Sequence, residues 1–134
     1  MRESECIFCK IVAGEIPSHV VWEDEEHIAF LDIFPLRKAQ TIVVPKSHVT
    51  SRIFALDEAT YGKLMSAGQK VAKLLESALG AERTMLVAEG LEIDHAHLKL
   101  YPRFAGEGGL VHGGPPADSE GLRELAERIR GERK

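Results

Sequence analysis

No stretch of this 134-residue chain is apolar for long enough to cross a bilayer, and its charged opening, Met1 to Lys10, lacks the apolar core of a secretory leader. A cytoplasmic protein that does not engage a membrane is therefore expected. An excess of positive charge is missing too: 17 Lys and Arg stand against 21 Asp and Glu, a formal net charge of −4. That balance argues against binding a nucleic-acid polymer through a basic surface. Small anions stay within reach, because a local cationic cluster attracts them against a mildly acidic background. Internal repeats and low-complexity tracts are also absent, and the length suits one domain over 1–134. Cysteine is scarce, with two residues in one motif, Cys6-Ile7-Phe8-Cys9.

A CxxC motif is read as a redox pair or as half of a zinc site. The redox pair belongs at the start of a helix that follows a strand, whereas only five residues precede Cys6 here. A closed zinc tetrahedron needs two further nitrogen or sulfur ligands. The supply is His19, His27, His48, His95, His97 and His112. His48 falls just past an expected strand end, and His95 on a polar strand face. Zinc, free thiols and a redox pair all stay open at this level.

The most informative segment is Asp94-His95-Ala96-His97-Leu98-Lys99-Leu100-Tyr101-Pro102-Arg103. As a β-strand it alternates faces, so His95, His97 and Lys99 share one side while Ala96, Leu98 and Leu100 share the other. Two imidazoles and an ammonium in a row describe an anion site, with an imidazole available as nucleophile or metal ligand. The plainer reading is an exposed strand face that happens to be basic.

Around it the pattern is α+β. Ser4 is placed to cap a short helix through Cys6, Phe8 and Ile11, ended by Gly14. Strands are expected at Val20–Trp22, Ile28–Asp32, Gln40–Pro45, Thr84–Ala88 and Ile93–Tyr101, the last two antiparallel in a meandering sheet. Asp57 opens one long helix whose stripe is Tyr61, Leu64, Gly68, Val71, Leu75 and Leu79, with Gly80 as its stop. Five glycines lie between Gly106 and Gly114, and a last helix, from Ser119 to Arg130, is amphipathic only through Leu122, Leu125 and Ile129.

Together these segments resemble the histidine triad (HIT) superfamily of nucleotide hydrolases and transferases, in its zinc-containing bacterial branch. The resemblance runs from Cys6 to about Arg103. It rests on the Cys6–Ser18 opening, on Ala29-Phe-Leu-Asp-Ile33, on Val43-Val-Pro-Lys-Ser-His48, and on His95-x-His97 followed by Pro102-Arg103. It implies an antiparallel sheet of about five strands with one long helix and short terminal helices, with the domain body at about 6–103 and a glycine-rich loop and helix at 104–134. It also implies a homodimer, for which Ala67, Gly68 and Ala72 on the long helix offer a surface of close approach.

A structural zinc ion held by Cys6, Cys9, His48 and His95 follows from the resemblance, as does His97 as the nucleophile. The imidazole nitrogen would attack the α-phosphorus of a nucleotide, forming a nucleotidyl-histidine that water releases as the nucleoside monophosphate. Asp32 matches the aspartate that holds the ribose hydroxyls, and Phe8, Ile11, Ile16 and Ile33 match positions around a base, a purine in expectation. Arg103 is a further candidate for phosphate contact. Two departures stand out. Lys99 occupies the place of the third histidine, where it would act on charge near the phosphate and leaving group. The segment Ala88–Asp94 is shorter than the Gly-Gln-rich phosphate loop of many members. The leading expectation is an enzyme cleaving nucleoside phosphoramidates or dinucleoside polyphosphates. The alternatives are a purine-nucleotide-binding protein without turnover, and a small zinc-stabilised interaction domain.

Overall fold

The structure, a computed structural model, describes residues 3–133; Met1, Arg2 and Lys134 lie outside the described residues. A single 3-10 turn at Glu3–Glu5 leads into the short helix α1 (Ile7–Val12). The cap of α1 is Cys6 rather than Ser4: the Cys9 backbone N–H donates to Cys6 Sγ at 3.4 Å. One thiol thus ends the helix and faces the metal-ligand cluster at once.

Strands β1 (Val20–Glu23), β2 (His27–Leu31) and β3 (Thr41–Pro45) form an antiparallel run. Asp24 turns the chain between the first two, its carboxylate accepting the N–H groups of Glu26 and His27 at 2.9 and 2.7 Å. Helix α2 (Glu58–Leu79) follows, capped by Asp57 on the Thr60 N–H and closed by Gly80 in the left-handed region at φ 71°. Then come β4 (Arg83–Val87), β5 (Leu98–Arg103) and helix α3 (Ser119–Gly131). No helix among the described residues is long and apolar enough to cross a membrane.

The sheet order is β1-β2-β3-β5-β4, all neighbours antiparallel. It therefore departs from a plain meander. The α2 crossover carries the chain past the sheet to its far edge, and β5 returns into the gap between β3 and β4. The strand after the histidines is thus central, flanked on both sides.

Each face of the sheet has its own core. On one face α2 lays Leu64, Ala67, Val71 and Leu75 on Ala29, Val43, Leu98 and Leu100. On the other, Phe8 of α1 packs with Ile28, Phe30, Ile42 and Val44. The buried stripe of α2 matches expectation at Leu64, Gly68, Val71 and Leu75; Tyr61 packs half-buried at its edge, Leu79 is exposed, and Ala67 also takes a core place. The small residues of α2 also serve a different purpose from the expected one. A Cβ on Gly68 would stand 2.7 Å from a Leu98 methyl, Ala67 is buried, and Ala72 is half-buried against the same core, so these residues pack toward this chain's own sheet. Leu122, Leu125 and Ile129 of α3 are exposed, and α3 buries no residue.

Candidate functional site

The histidines sit where the β5 ladder has not yet begun. The expected strand over Ile93–Tyr101 is observed as Leu98–Arg103, and residues 88–97 form an irregular connection. The reason lies on the neighbouring strand. Pairing with β3 runs from Thr41↔Leu100 to Val43↔Leu98, and two places further on stands Pro45, which has no N–H to give. Its carbonyl accepts instead from His95, whose Nε2–H donates to Pro45 O at 2.8 Å. A proline that ends a ladder thereby orients an imidazole.

The connection is pinned to the segment after His48. Ala96 N–H donates to Val49 O at 2.9 Å, Ser51 N–H to Asp94 Oδ1 at 3.0 Å, and Ser51 Oγ–H to Gly90 O at 2.7 Å. The Ser51 N–H bond holds the Asp94 carboxyl below its usual range. Gly90 has φ 64°, and a Cβ there would meet Ser51 O at 2.5 Å, so this approach requires glycine.

The facing expected for this segment holds through its irregular part. The Phe8 ring meets His95 and His97 edge-on, with centroids at 5.8 and 5.0 Å, while Ala96 joins the α2-side core. Lys99 pairs with Ile42 and Val87, which puts it on the same face as the α1-side core.

Four of these side chains converge. Cys6 Sγ lies 3.4 Å and Cys9 Sγ 3.5 Å from His95 Nδ1, and Cys9 Sγ lies 3.2 Å from His48 Nδ1. All four ligand atoms fall within 4.8 Å of one another. A tetrahedral zinc with bonds of about 2.0–2.3 Å places its ligand atoms roughly 3.3–3.8 Å apart, so the set needs little adjustment to hold one. The tautomer also fits. Because the Pro45 carbonyl can only accept, His95 Nε2 carries the proton and Nδ1 turns a lone pair toward the thiols. As a thiol, Cys9 is pushed up to about 11 by burial and by the neighbouring Cys6, a cost that a bound cation removes by stabilising the thiolate. All four positions are protein ligands, so the centre would be closed and structural, with no open place for substrate.

His97 is arranged differently. Its Nδ1–H donates to the His95 carbonyl at 2.8 Å, so the unprotonated nitrogen is Nε2. Burial, followed by the positive charge of Lys99, lowers its pKa against the opposing hydrogen bond to His95. The result is a neutral imidazole in one tautomer with a free lone pair, the condition a nitrogen nucleophile needs.

Asp32, at the end of β2, is half-buried. Its Oδ1 accepts Phe34 N–H at 2.8 Å, and its Oδ2 accepts Gln40 Nε2–H at 2.7 Å. Two of about four lone-pair positions are then used, leaving room for a diol. The charge of Asp32 reaches His97 and Tyr101. Gln40 went unnoticed in the sequence, yet it is buried and also accepts Leu36 N–H at 2.6 Å through Oε1. Its only signal is a polar residue at the start of a buried strand. Ala39 beside it has φ 65°, the single positive-φ residue other than glycine among those described.

The remaining candidates are less concentrated. Phe8 is buried beneath the two imidazoles. Ile11 packs at the edge of the same cluster, Ile16 is half-buried, and Ile33 is exposed on the β2–β3 loop. Arg103 is not brought to the histidines: it lies at the far end of β5, paired with Glu82 at 2.7 Å. Two grooves of about 380 and 400 Å³ lie on the α2 side, each lined by Glu25, Glu26, His27 and Lys63, and contain none of these residues.

Residues 13–106 match the HIT domain. The chain belongs to the HIT family. An uncharacterised HIT-like protein of Methanocaldococcus jannaschii is 38% identical over 133 residues, covering 94% of this chain and 99% of that one. The adenosine 5'-monophosphoramidase of Schizosaccharomyces pombe is 34% identical over 131 residues, covering 92% and 95%. Among solved structures, a Streptococcus mutans protein superposes with a TM-score of 0.83 at 38% identity, over 97% of this chain and 86% of that one. A HIT family protein from Bacillus subtilis gives 0.78 at 28% identity, over 97% and 98%. The five-stranded antiparallel sheet with one long helix is thus the fold of this HIT protein, as the resemblance implied, and its Cys2His2 group can hold a metal ion.

Proposed function

We propose that this HIT protein is a nucleotide hydrolase acting at the α-phosphate of a nucleoside phosphoramidate or dinucleoside polyphosphate, with His97 as its nucleophile. The observation that carries this reading is the 2.8 Å bond from His97 Nδ1 to the His95 carbonyl, which fixes the reactive tautomer before substrate arrives. Nε2 attacks phosphorus, the bond to the leaving group breaks, and water then displaces the imidazole to give the nucleoside monophosphate. Asp32 receives the ribose hydroxyls, braced by Gln40. Ile11, Ile16 and Ile33 border a purine, and Phe8 supports the imidazole from below. Lys99 stands where the family resemblance places the third histidine and stabilises charge on phosphate oxygens. Zinc on Cys6, Cys9, His48 and His95 holds the backbone that carries His97. The phosphoramidase named among the relatives supports the reaction class.

The purified protein, incubated separately with diadenosine tetraphosphate and adenosine 5'-phosphoramidate, is expected to release AMP from at least one. Binding of AMP with no release from either would sink the enzyme reading in favour of a nucleotide-binding protein. We further propose a homodimer, which the family resemblance and the uncovered Leu122, Leu125 and Ile129 stripe support. Light scattering should give about twice the 14.8 kDa chain mass; a concentration-independent monomer would exclude it.

A further inference from the structure

Lys99 is half-buried beside the nucleophile, yet among the described residues no carboxylate or carbonyl lies within ion-pair or hydrogen-bond distance of its ammonium. Comparably buried cations are treated otherwise. Lys46 meets Glu23 at 2.6 Å, Arg103 meets Glu82 at 2.7 Å, and Arg37 donates to the carbonyls of Gly108 and Gly109 at 2.6 and 2.9 Å. Lys10, the other half-buried lysine among the described residues whose ammonium makes no ion pair, lies in the last turn of α1, where the helix dipole suits it. Lys99 stands on β5 between Ile42 and Val87, on the His97 face of the sheet. A cation so placed, with its charge directed at the reacting centre, is matched by an anion supplied from outside.

The chemistry of departure says which anion. An amine leaving group must take up a proton as the P–N bond breaks. A lysine ammonium is a weak proton donor near neutrality and gives little help to a leaving amine. A phosphate or polyphosphate oxygen needs no proton: with a pKa of about 6 it departs as an anion and needs only charge stabilisation. We infer that Lys99 makes this chain selective for substrates whose leaving group is a phosphate or polyphosphate anion over those whose leaving group is an amine.

This rests on the proposed nucleotidyl-histidine reading and narrows it. The His97 Nε2 lone pair forms the N–P bond while the P–O bond to the leaving group breaks. The electron pair of that bond stays on the departing oxygen, where Lys99 offsets it. Water then attacks phosphorus, the N–P pair returns to Nε2, and the water proton passes to solvent. Both substrate classes give the same intermediate, so the selectivity that Lys99 confers arises in the first step.

The test compares kcat/KM and burst rates for diadenosine tetraphosphate and adenosine 5'-phosphoramidate in wild type, Lys99→Gln, Lys99→Arg and Lys99→His. Wild type is expected to favour the tetraphosphate. Lys99→Gln should lower its nucleotidylation rate roughly ten- to a thousand-fold and the phosphoramidate rate by a factor at least about tenfold smaller, moving the ratio of the two toward the phosphoramidate. Lys99→Arg, which keeps the charge, should hold the wild-type ratio, and Lys99→His should shift it toward the phosphoramidate. Equal losses on both substrates in Lys99→Gln would mean that Lys99 serves the shared α-phosphate, and the selectivity inference would fall while the hydrolase reading stood. A wild type that favours the phosphoramidate would overturn it in the same way. If wild type forms no nucleotidyl-enzyme with either substrate, the hydrolase reading falls and this inference with it.

Discussion

His97→Ala is expected to reduce nucleotide turnover by at least about a thousandfold, because the covalent route disappears with its nucleophile. The substitution removes one imidazole that lies over Phe8 and is anchored only to the His95 carbonyl, and it takes nothing from the four metal-ligand candidates. Nucleotide affinity should therefore survive, since Asp32 and the apolar border lie on other elements. Two readouts separate loss of chemistry from loss of fold. Wild type quenched during turnover should carry nucleotide on His97 through a bond labile to acid, as a phosphoramidate is, and the mutant should carry none. The mutant should still bind AMP within about threefold of the wild-type Kd, a difference under about 0.7 kcal/mol. Hydrolysis that continues at the wild-type rate in His97→Ala would end the proposed mechanism.

The sequence carried the facing of this segment further than it carried its strand. Alternation placed His97 and Lys99 opposite Ala96 and Leu98, and the two cores on the two sheet faces keep that division. The strand boundary differs from the expected one because it depends on Pro45, distant in sequence but adjacent on β3, which cannot extend the ladder. The acceptors that set both imidazoles are the carbonyls of Pro45 and His95. Backbone groups are the same in every residue, so no side-chain pattern announces them. Helix α2 was legible at both ends, because Asp57 and Gly80 act through local bonds that sequence neighbours determine. The small residues inside α2 were legible as small but not as facing β5, since that requires knowing that β5 enters the sheet beside β3. Gln40 escaped for a related reason: its partner Asp32 is brought close only when the β2–β3 loop folds back.

Metal removal is the second large effect expected. Protein purified without added metal should contain about one zinc per chain, and Cys6→Ser or Cys9→Ser should lose it. The consequence for stability follows from position. Cys6 caps α1, His48 follows β3, and His95 opens the approach to β5, so one ion ties together three segments separated by long stretches of chain. An ion that binds only the folded state, present at about a thousandfold over its Kd, contributes about 4 kcal/mol, which for a chain of this size is roughly 10–20 °C in Tm. Chelation should lower the melting temperature of wild type by that amount and leave the already metal-free Cys9→Ser unaffected. Activity should fall with the metal, since the carbonyl that orients His97 belongs to the ligand His95. It should return when zinc is restored to the wild type and not to the variant. A wild type that purifies metal-free with an unchanged Tm under chelation would remove zinc from this account. Loss of metal from Cys6→Ser but not from His48→Ala would instead show that His48 is not a ligand.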